Sequence, residues 1–449
     1  MKRSWGIFFL WLAALLFALN TGRDLAFDLL YFVTGVILLA LWWAWANLRG
    51  LHLRRVTRPQ RSQVGRYLEE SLELTNNSRW PKLWVEVLDQ SDLPGHQISR
   101  VVNSLGQRAT SRWQARTLCR LRGRFTLGPL ALTSGDPLGL FRFTRKAPGT
   151  LALVVVPATV AIPQFSPPSG YLAGGELIHR RTPYITTSVS TVRDYVPGDS
   201  FNRIHWKSTA RTGRLISKEF ELDPLADVWI FLDMHEGAQA ESPWTVQPWE
   251  PMGWMRPHEA RLDLPPSTTE YGVTIAASLA QHFIRLDRAV GFLSYAGQRE
   301  VVQPDRGERQ LDRLLDILAV IQPEGHIPLP HILATEGARL GRHSTLIVVT
   351  SSSDPAWVQT LRGLRARGVH GIAILLAART FGPAADWSEA LGELQIGGLP
   401  AYLVRRGDDL SSALARPVSL GGPGSGGPTR PYSARPGSNG NPGQTNAAI

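Results

Sequence analysis

At 449 residues with 43% hydrophobic side chains, the chain is long enough for two or three domains that each bury a core of their own. A single cysteine, Cys119, excludes an internal disulfide and thiolate metal sites, and it reads as a small apolar core side chain. The formal net charge is +11, but nine basic residues precede Tyr67 against only Asp24 and Asp28. That excess flanks an apolar region, which argues for membrane topology and against a nucleic-acid footprint, since a binding domain carries its basic patch on the folded body.

Two apolar runs lead the chain, Trp5 to Leu19 and Leu25 to Ala46, joined by NTGRD. The first is a little short and the second long enough for a bilayer core of roughly 30 Å. Lys2 and Arg3 precede the pair, while Arg49, Arg54, Arg55 and Arg58 follow it, and Trp42, Trp43 and Trp45 stand where an interfacial belt belongs. The pattern predicts a transmembrane hairpin over 1–50, with residues 5–46 in the bilayer and both termini and the soluble domains in the cytoplasm. A cleaved signal peptide is the rival reading, but no clear small-x-small site follows Leu19.

From 51 to 163, period-two stretches such as LEESLELT and LWVEVLDQ alternate with turn signals, NNSRWP, SDLPG and SGDPLG. They predict antiparallel strands in a small β-sandwich. Residues 164–222 form a junction segment. Over 223–416 short buried-strand runs (DVWIFLD, AVGFLSYA, STLIVVTSS, HGIAILLA, PAYLVRR) alternate with helical patterns (TEYGVTIAASLAQHFIRLD, ERQLDRLLDILAVI, DPAWVQTLRGLRARG, ADWSEALGEL). This is the signature of a doubly wound α/β domain, so the fold class is α/β plus all-β. Ligands of such sheets sit beyond the strand carboxyl ends, which points to Asp233 and to Thr350, Ser351 and Ser352. The tail, 417–449, is rich in Gly, Pro, Ser and Asn and is expected to be disordered.

Within the junction, VRDYVPGDSFNRIHWKSTARTGRLISKEFE (Val192 to Glu221) packs six basic and four acidic residues around one tryptophan. Asp199 or Ser200 can cap a helix, with Phe201, Ile204 and Ser208 on its inner face and Arg203, Lys207 and Arg211 as a basic ridge; Gly213 ends it. Trp206 and Ile204 are expected to be buried between the two domains, with Arg193 and Asp199 in local pairs and part of the ridge, Arg214 included, open to solvent. His205 reads as a structural or salt-bridging residue. If all the charges pair locally, the ridge has no special duty; otherwise it is a docking surface for phosphate, anionic headgroups or an acidic protein.

This stretch resembles the signature of the bacterial "domain of unknown function 58" family, R-x-Y-x-x-G-D, R-x-I-x-W-K and A-R-T-G-x-L. Here these are Arg193, Tyr195, Gly198 and Asp199; Arg203, Ile204, Trp206 and Lys207; then Ala210, Arg211, Thr212, Gly213 and Leu215. The upstream RGRFTLGPLALTSGDPLGLFR and the leading spans are similar to the same family, so the resemblance runs over roughly residues 1 to 405. It implies a membrane-anchored protein with a C-terminal von Willebrand factor A-like domain, working with a MoxR-type AAA+ ATPase in assembly or maturation of other proteins. It implies no established reaction. An A-domain metal site takes D-x-S-x-S after the first strand, because hydroxyls and a carboxylate give Mg²⁺ hard oxygen ligands. This chain has Asp233-Met234-His235-Glu236-Gly237, with both serines missing, and the later strand ends in Thr350-Ser351 where an aspartate would be useful, although Asp354 lies close by. Asp233 is therefore only a weak metal candidate, and no cofactor is expected.

No G-x-x-x-x-G-K-[ST], H-E-x-x-H or G-x-S-x-G occurs. After Asp233, MHEGAQAESPWTVQPWEPMGWMRPHEARLDLPP carries Trp244, Trp249 and Trp254 five residues apart, either an interface loop or a cover for an apolar edge of its own domain. The leading expectation is a membrane-tethered cytoplasmic scaffold or adaptor without nucleic acid as a partner. The alternative is a hydrolase with its site at the sheet rim near Asp233. An extracellular adhesion receptor would need inverted topology and an intact metal site.

Overall fold

A computed structural model describes residues 2–57, 59–147, 149–165, 189–196, 204–220, 227–245 and 263–418. Helices α1 (Lys2–Thr21) and α2 (Asp24–Leu48) come first. Small side chains let them approach closely, with Ala14, Ala18, Ala26 and Leu30 buried, and the Trp11 indole donates to the Thr34 hydroxyl at 2.9 Å. α2 is long and apolar enough to cross a bilayer, whereas the apolar part of α1, Gly6–Thr21, is shorter.

Ten strands follow: β1 (Leu51–Arg55), β2 (Arg61–Gln63), β3 (Tyr67–Asn76), β4 (Lys82–Asp89), β5 (Arg100–Leu105), β6 (Thr110–Leu118), β7 (Gly123–Leu127), β8 (Leu130–Gly135), β9 (Arg142–Ala147) and β10 (Leu151–Val156). Sheets β1-β3-β6 and β5-β4-β8-β9 share one core that includes Leu72, Leu74, Val85, Val87, Trp113 and Leu132. A third sheet, β2-β10-β7, has its own small core, and there the fully buried Cys119 lies 3.3 Å from the Ser62 hydroxyl. The alternation of β3 explains the period-two reading, because Leu68, Glu70, Leu72 and Leu74 are all buried.

Glu70 breaks the apolar rule and is matched by charge. Arg55 Nε lies 3.0 Å from its carboxylate, and His96 Nε2 bridges Glu70 at 3.2 Å and Asp89 at 3.3 Å. The His96 Nδ1 is 2.8 Å from the Thr117 hydroxyl. Burial by itself pulls the imidazolium down, but the hydrogen bonds and charges of Asp89 and Glu70 outweigh it and push His96 up to about 9.

Next comes a hairpin of β11 (Val189–Asp194) and β12 (Ile216–Phe220), with helix α3 (Trp206–Thr212) between the strands. The C-terminal region contains β13 (Val228–Leu232), α4 (Thr268–Arg285), β14 (Val290–Ala296), β15 (Gln298–Asp305), α5 (Glu308–Val320), α6 (Leu329–Gly337), β16 (Thr345–Thr350), α7 (Ala356–Ala366), β17 (His370–Leu376), α8 (Ser388–Ile396), β18 (Ala401–Val404) and α9 (Leu410–Ala413). Its sheet runs β15-β14-β13-β16-β17-β18, parallel except for the antiparallel edge β15. Successive side chains fall into different cores: Ile230, Leu232, Ile347 and Val349 pack with α4 and α5, while Phe231, Val348 and Leu375 pack with α6 and α7. Both faces are therefore covered, which is why these strands read as unbroken apolar runs.

The edge strand β15 and helix α6 were not foreseen. QREVVQPD is polar because it is an edge, and its turn rests on Gly297 at φ 69°. Arg299 grips Glu336 of α6 through two bonds of 2.9 Å, and the Tyr295 hydroxyl adds a third at 2.8 Å.

Arg122, buried just before β7, joins the β region to the α/β region. Its guanidinium donates to the carbonyls of Leu318 at 2.9 Å and Ile321 at 2.6 Å, at the end of α5, and to the Glu270 carboxylate of α4. Val156, Ile162 and Phe165 enter the core beneath α4 and α5. Arg61 adds exposed pairs to Asp312 and Asp316.

Candidate functional site

The hairpin that carries the basic signature is built differently from the sequence expectation. Helix α3 begins at Trp206 and not near Asp199: His205 is its N-cap, and its ring accepts from the Ser208 amide at 3.3 Å and lies 2.6 Å from the Ser208 hydroxyl. Gly213 closes the helix at φ 72°, a left-handed conformation that suits glycine. Ile204 is buried, but it stands in a bridge to Ser217 and not on a helical face. Gly198, Asp199 and Arg203 lie outside the described residues, as do the side-chain surroundings of Arg193; of the expected ridge, Lys207 and Arg211 are described, both on α3.

Trp206 is 62% exposed, which corrects the expectation that it is buried between domains. A helix of seven residues presents too little surface to bury an indole on its own, and Arg122 makes the joint elsewhere. Lys207 and Arg211, four residues apart, are exposed beside it, and Arg214 is exposed with a 3.6 Å pair to Asp194. Tyr195 extends the hairpin through a backbone bond to Leu215 at 2.9 Å.

The rim of the α/β sheet is the other candidate. There Asp233, Gln239, Ser351, Ser352 and Asp354 line a cleft of about 280 Å³ with Pro328, Leu329 and Pro383. The strand ends bring these residues together, as the topology rule anticipates. Asp233 is 3% exposed. Its carboxylate accepts from the Thr350 hydroxyl at 2.6 Å and from the His235 backbone N–H at 3.0 Å. Burial raises its proton affinity, and those two donors oppose the rise.

Gln239, which the sequence reading passed over, is the hub of the rim. Its amide donates to the Asp233 carbonyl at 3.0 Å, and its oxygen accepts from Thr268 at 2.7 Å and Ser351 at 3.3 Å. The D-x-H-x-G-x-Q spacing was its only signal, a polar side chain two residues beyond the positions where serines were sought. The loop is further stitched by the Gly325 amide to the Met234 carbonyl at 2.9 Å, an approach that a Cβ at Gly325 would block.

Asp233 thus ties β13 to β16, with both carboxylate oxygens engaged by donors of the protein. The bonds among the described residues run from Asp233 to a backbone amide and a threonine, and none links its carboxylate to the His235 ring or a serine, as an acyl-transfer relay would require. Among the described residues no group of three or more His, Cys, Asp or Glu is placed to hold a metal ion. Trp244 is half-buried, whereas Trp249 and Trp254 fall outside the described residues, as does the tail from 419.

Residues 191–245 match the family model "Protein of unknown function DUF58", so the chain carries the segment that its motifs resemble. Over 180 residues it is 21% identical to "Uncharacterized protein YeaD" of Bacillus subtilis (strain 168), a match covering 40% of this chain and 37% of that protein. Solved structures similar to parts of the chain include the CARDB domain of PF1109 from Pyrococcus furiosus, at 13% identity over 24% of this chain and 94% of that one, with a TM-score of 0.18. The ASH / PapD-like domain of human CEP192 matches at 16% identity over 24% of this chain and 87% of that one, also with a TM-score of 0.18.

Proposed function

We propose that this protein is a membrane-tethered, non-catalytic scaffold that uses the signature hairpin to dock a cytoplasmic partner. The exposed Trp206 on α3 beside Lys207 and Arg211 carries the reading. A solvated indole contributes no stability where it stands, and tryptophan next to guanidinium is the chemistry of interface anchors. The partner is an acidic surface, taken from the family resemblance to be a MoxR-type AAA+ ATPase. ATP turnover belongs to that partner. The von Willebrand factor A-like assignment of the α/β region belongs to the same proposal, supported by strands β13, β14, β16 and β17 running parallel with helices on both faces. The proposal also has both apolar helices crossing the bilayer with the soluble regions in the cytoplasm, a topology that the flanking arginines support.

Affinity purification from gently solubilised membranes, with and without ATP, tests the proposal. The wild-type protein should retain the ATPase, and Trp206→Ala or Lys207→Glu with Arg211→Glu should lose it while keeping the wild-type melting temperature. Unchanged capture by both variants would refute the docking role.

A further inference from the structure

The end of α2 does not lead into a flexible linker; it is built into the β region. α2 packs on β4, β8 and β9, where Leu48 enters the β core and Asn47 is buried. The Asn47 side chain accepts from the Leu83 amide at 3.1 Å and donates to the Ser134 hydroxyl at 2.6 Å. Lys82, 2% exposed, donates its ammonium at 2.6 Å to the Ala46 carbonyl in the last turn of α2, which also accepts from the Arg49 amide at 3.2 Å. Burial lowers the proton affinity of Lys82, a cost that the bond to a helix C-terminus offsets. A helix held on one face by such contacts cannot swivel against the domain it carries.

That rigidity fixes which part of the β region meets the membrane. Trp80 is 69% exposed in a turn whose Asn77 amide donates to the Gly50 carbonyl at 2.7 Å, two residues past the end of α2. Trp84 is 52% exposed beside Leu83, and its carbonyl receives the Ser134 hydroxyl at 3.2 Å. Leu138, in the turn between β8 and β9, is 59% exposed. On α2, Trp42 and Trp45 are also exposed, and the Arg49 guanidinium lies 4.1 Å over the Trp45 ring. Arg49, directly after α2, and Arg79, directly before Trp80, are exposed cations.

We infer that Trp80, Trp84 and Leu138 form a collar that seats the β region in the headgroup layer of the bilayer, with Arg49 and Arg79 facing anionic phospholipid headgroups. Large apolar side chains left in water beside the strands on which a membrane helix packs have one continuous apolar surface to join, and tryptophan favours the boundary between acyl chain and headgroup. The inference rests on the reading of α2 as a membrane anchor. Its consequence is a β region lying on the membrane at a set orientation, which also sets where the signature hairpin can be reached.

The test uses the full chain in vesicles of phosphatidylethanolamine and phosphatidylglycerol. An environment-sensitive dye is placed by Trp80→Cys, Trp84→Cys or Leu138→Cys, and as a reference by Glu389→Cys on the exposed surface of α8; the native Cys119 is fully buried and takes no label. Lipids carrying shallow spin labels should quench the three collar dyes several-fold more than the reference, with blue-shifted emission. Collar dyes that behave like the reference, in protein that still resists carbonate extraction, would overturn the collar and leave the anchor standing. Dyes shielded from water but not quenched by lipid would show that a protein covers the patch, which also overturns it. Protein released by carbonate would remove both readings.

Discussion

Arg122, inside the β region between β6 and β7, and Arg211, on the segment that leads from the β region to the α/β region, are two arginines used in opposite ways. Arg122 is buried, and its donors end on the carbonyls of Leu318 and Ile321 and on the Glu270 carboxylate. Arg211 lies exposed in the last turn of α3, where a cation suits the helix dipole and needs no partner. A guanidinium can satisfy several carbonyls at a joint that excludes water, but in water the same group is left for whatever binds next. The difference separates polar groups that hold this fold from those that are available to partners.

The sharpest way to break that distinction is Arg122→Ala. It strands two buried carbonyls and a carboxylate, and removing one member of such a set costs about 3–5 kcal/mol. Denaturant unfolding should show that loss, with Arg122→Lys recovering part of it, because an ammonium reaches fewer of the three acceptors. A loss no larger than that of Arg211→Ala would mean that the joint does not depend on the buried guanidinium.

The His96 cluster applies the same logic through pH. The folded protein holds His96 near 9, above its ordinary value of 6.5. Its stabilisation is therefore complete below about pH 6.5 and is lost as pH rises toward 9. At about 1.4 kcal/mol per unit, the swing is on the order of 3 kcal/mol. Unfolding free energies measured from pH 6 to pH 10 should fall across that window, and His96→Gln should flatten the curve. A wild-type curve as flat as that of the variant would show that His96 is neutral in the fold.

Much of the architecture was legible because it depends on local periodicity. The apolar runs of the sheet strands and the alternation in β3 come from one or two buried faces, which any window of the sequence reports. The joint was not legible, because Arg122 finds acceptors some 196 and 199 residues away and no local pattern encodes such partners. The same holds for Gln239, an unremarkable polar residue until β13, α4 and β16 converge on it. Topology alone points to Asp233 at the rim, yet only the geometry shows its carboxylate held by the Thr350 hydroxyl and the His235 amide. For Trp206 the sequence misled, since an aromatic amid a helix pattern resembles a core residue, whereas α3 is too short to make a core.

At the rim, Asp233→Ala should destabilise by about 2–3 kcal/mol, leaving the Thr350 hydroxyl and the His235 amide as buried donors without an acceptor. Asp233→Asn should cost less, because a neutral amide keeps an acceptor and removes a charge that burial disfavours. Titrating Mg²⁺ or Mn²⁺ should raise the melting temperature no more than ionic strength does, in wild type and variants alike. A functional acid held at some cost would behave in the opposite way, its removal leaving stability unchanged or higher. A saturable Mg²⁺ shift abolished by Asp233→Ala would make Asp233 a ligand and not a tie.

The smallest effect on stability is expected at Trp206. With most of the indole in water, Trp206→Ala should change the unfolding free energy by no more than about 0.5 kcal/mol, the range of surface substitutions away from packed features. A core tryptophan would cost about 3–5 kcal/mol, so the measurement separates the two settings clearly. The helix itself should persist, because its N-cap on His205 and its C-cap on Gly213 do not involve the ring. Loss of several kcal/mol would place Trp206 in a buried contact of the assembled protein and return the signature to the role of a joint. A neutral substitution leaves Arg122 to hold the two regions together, with Trp206 free to meet a partner.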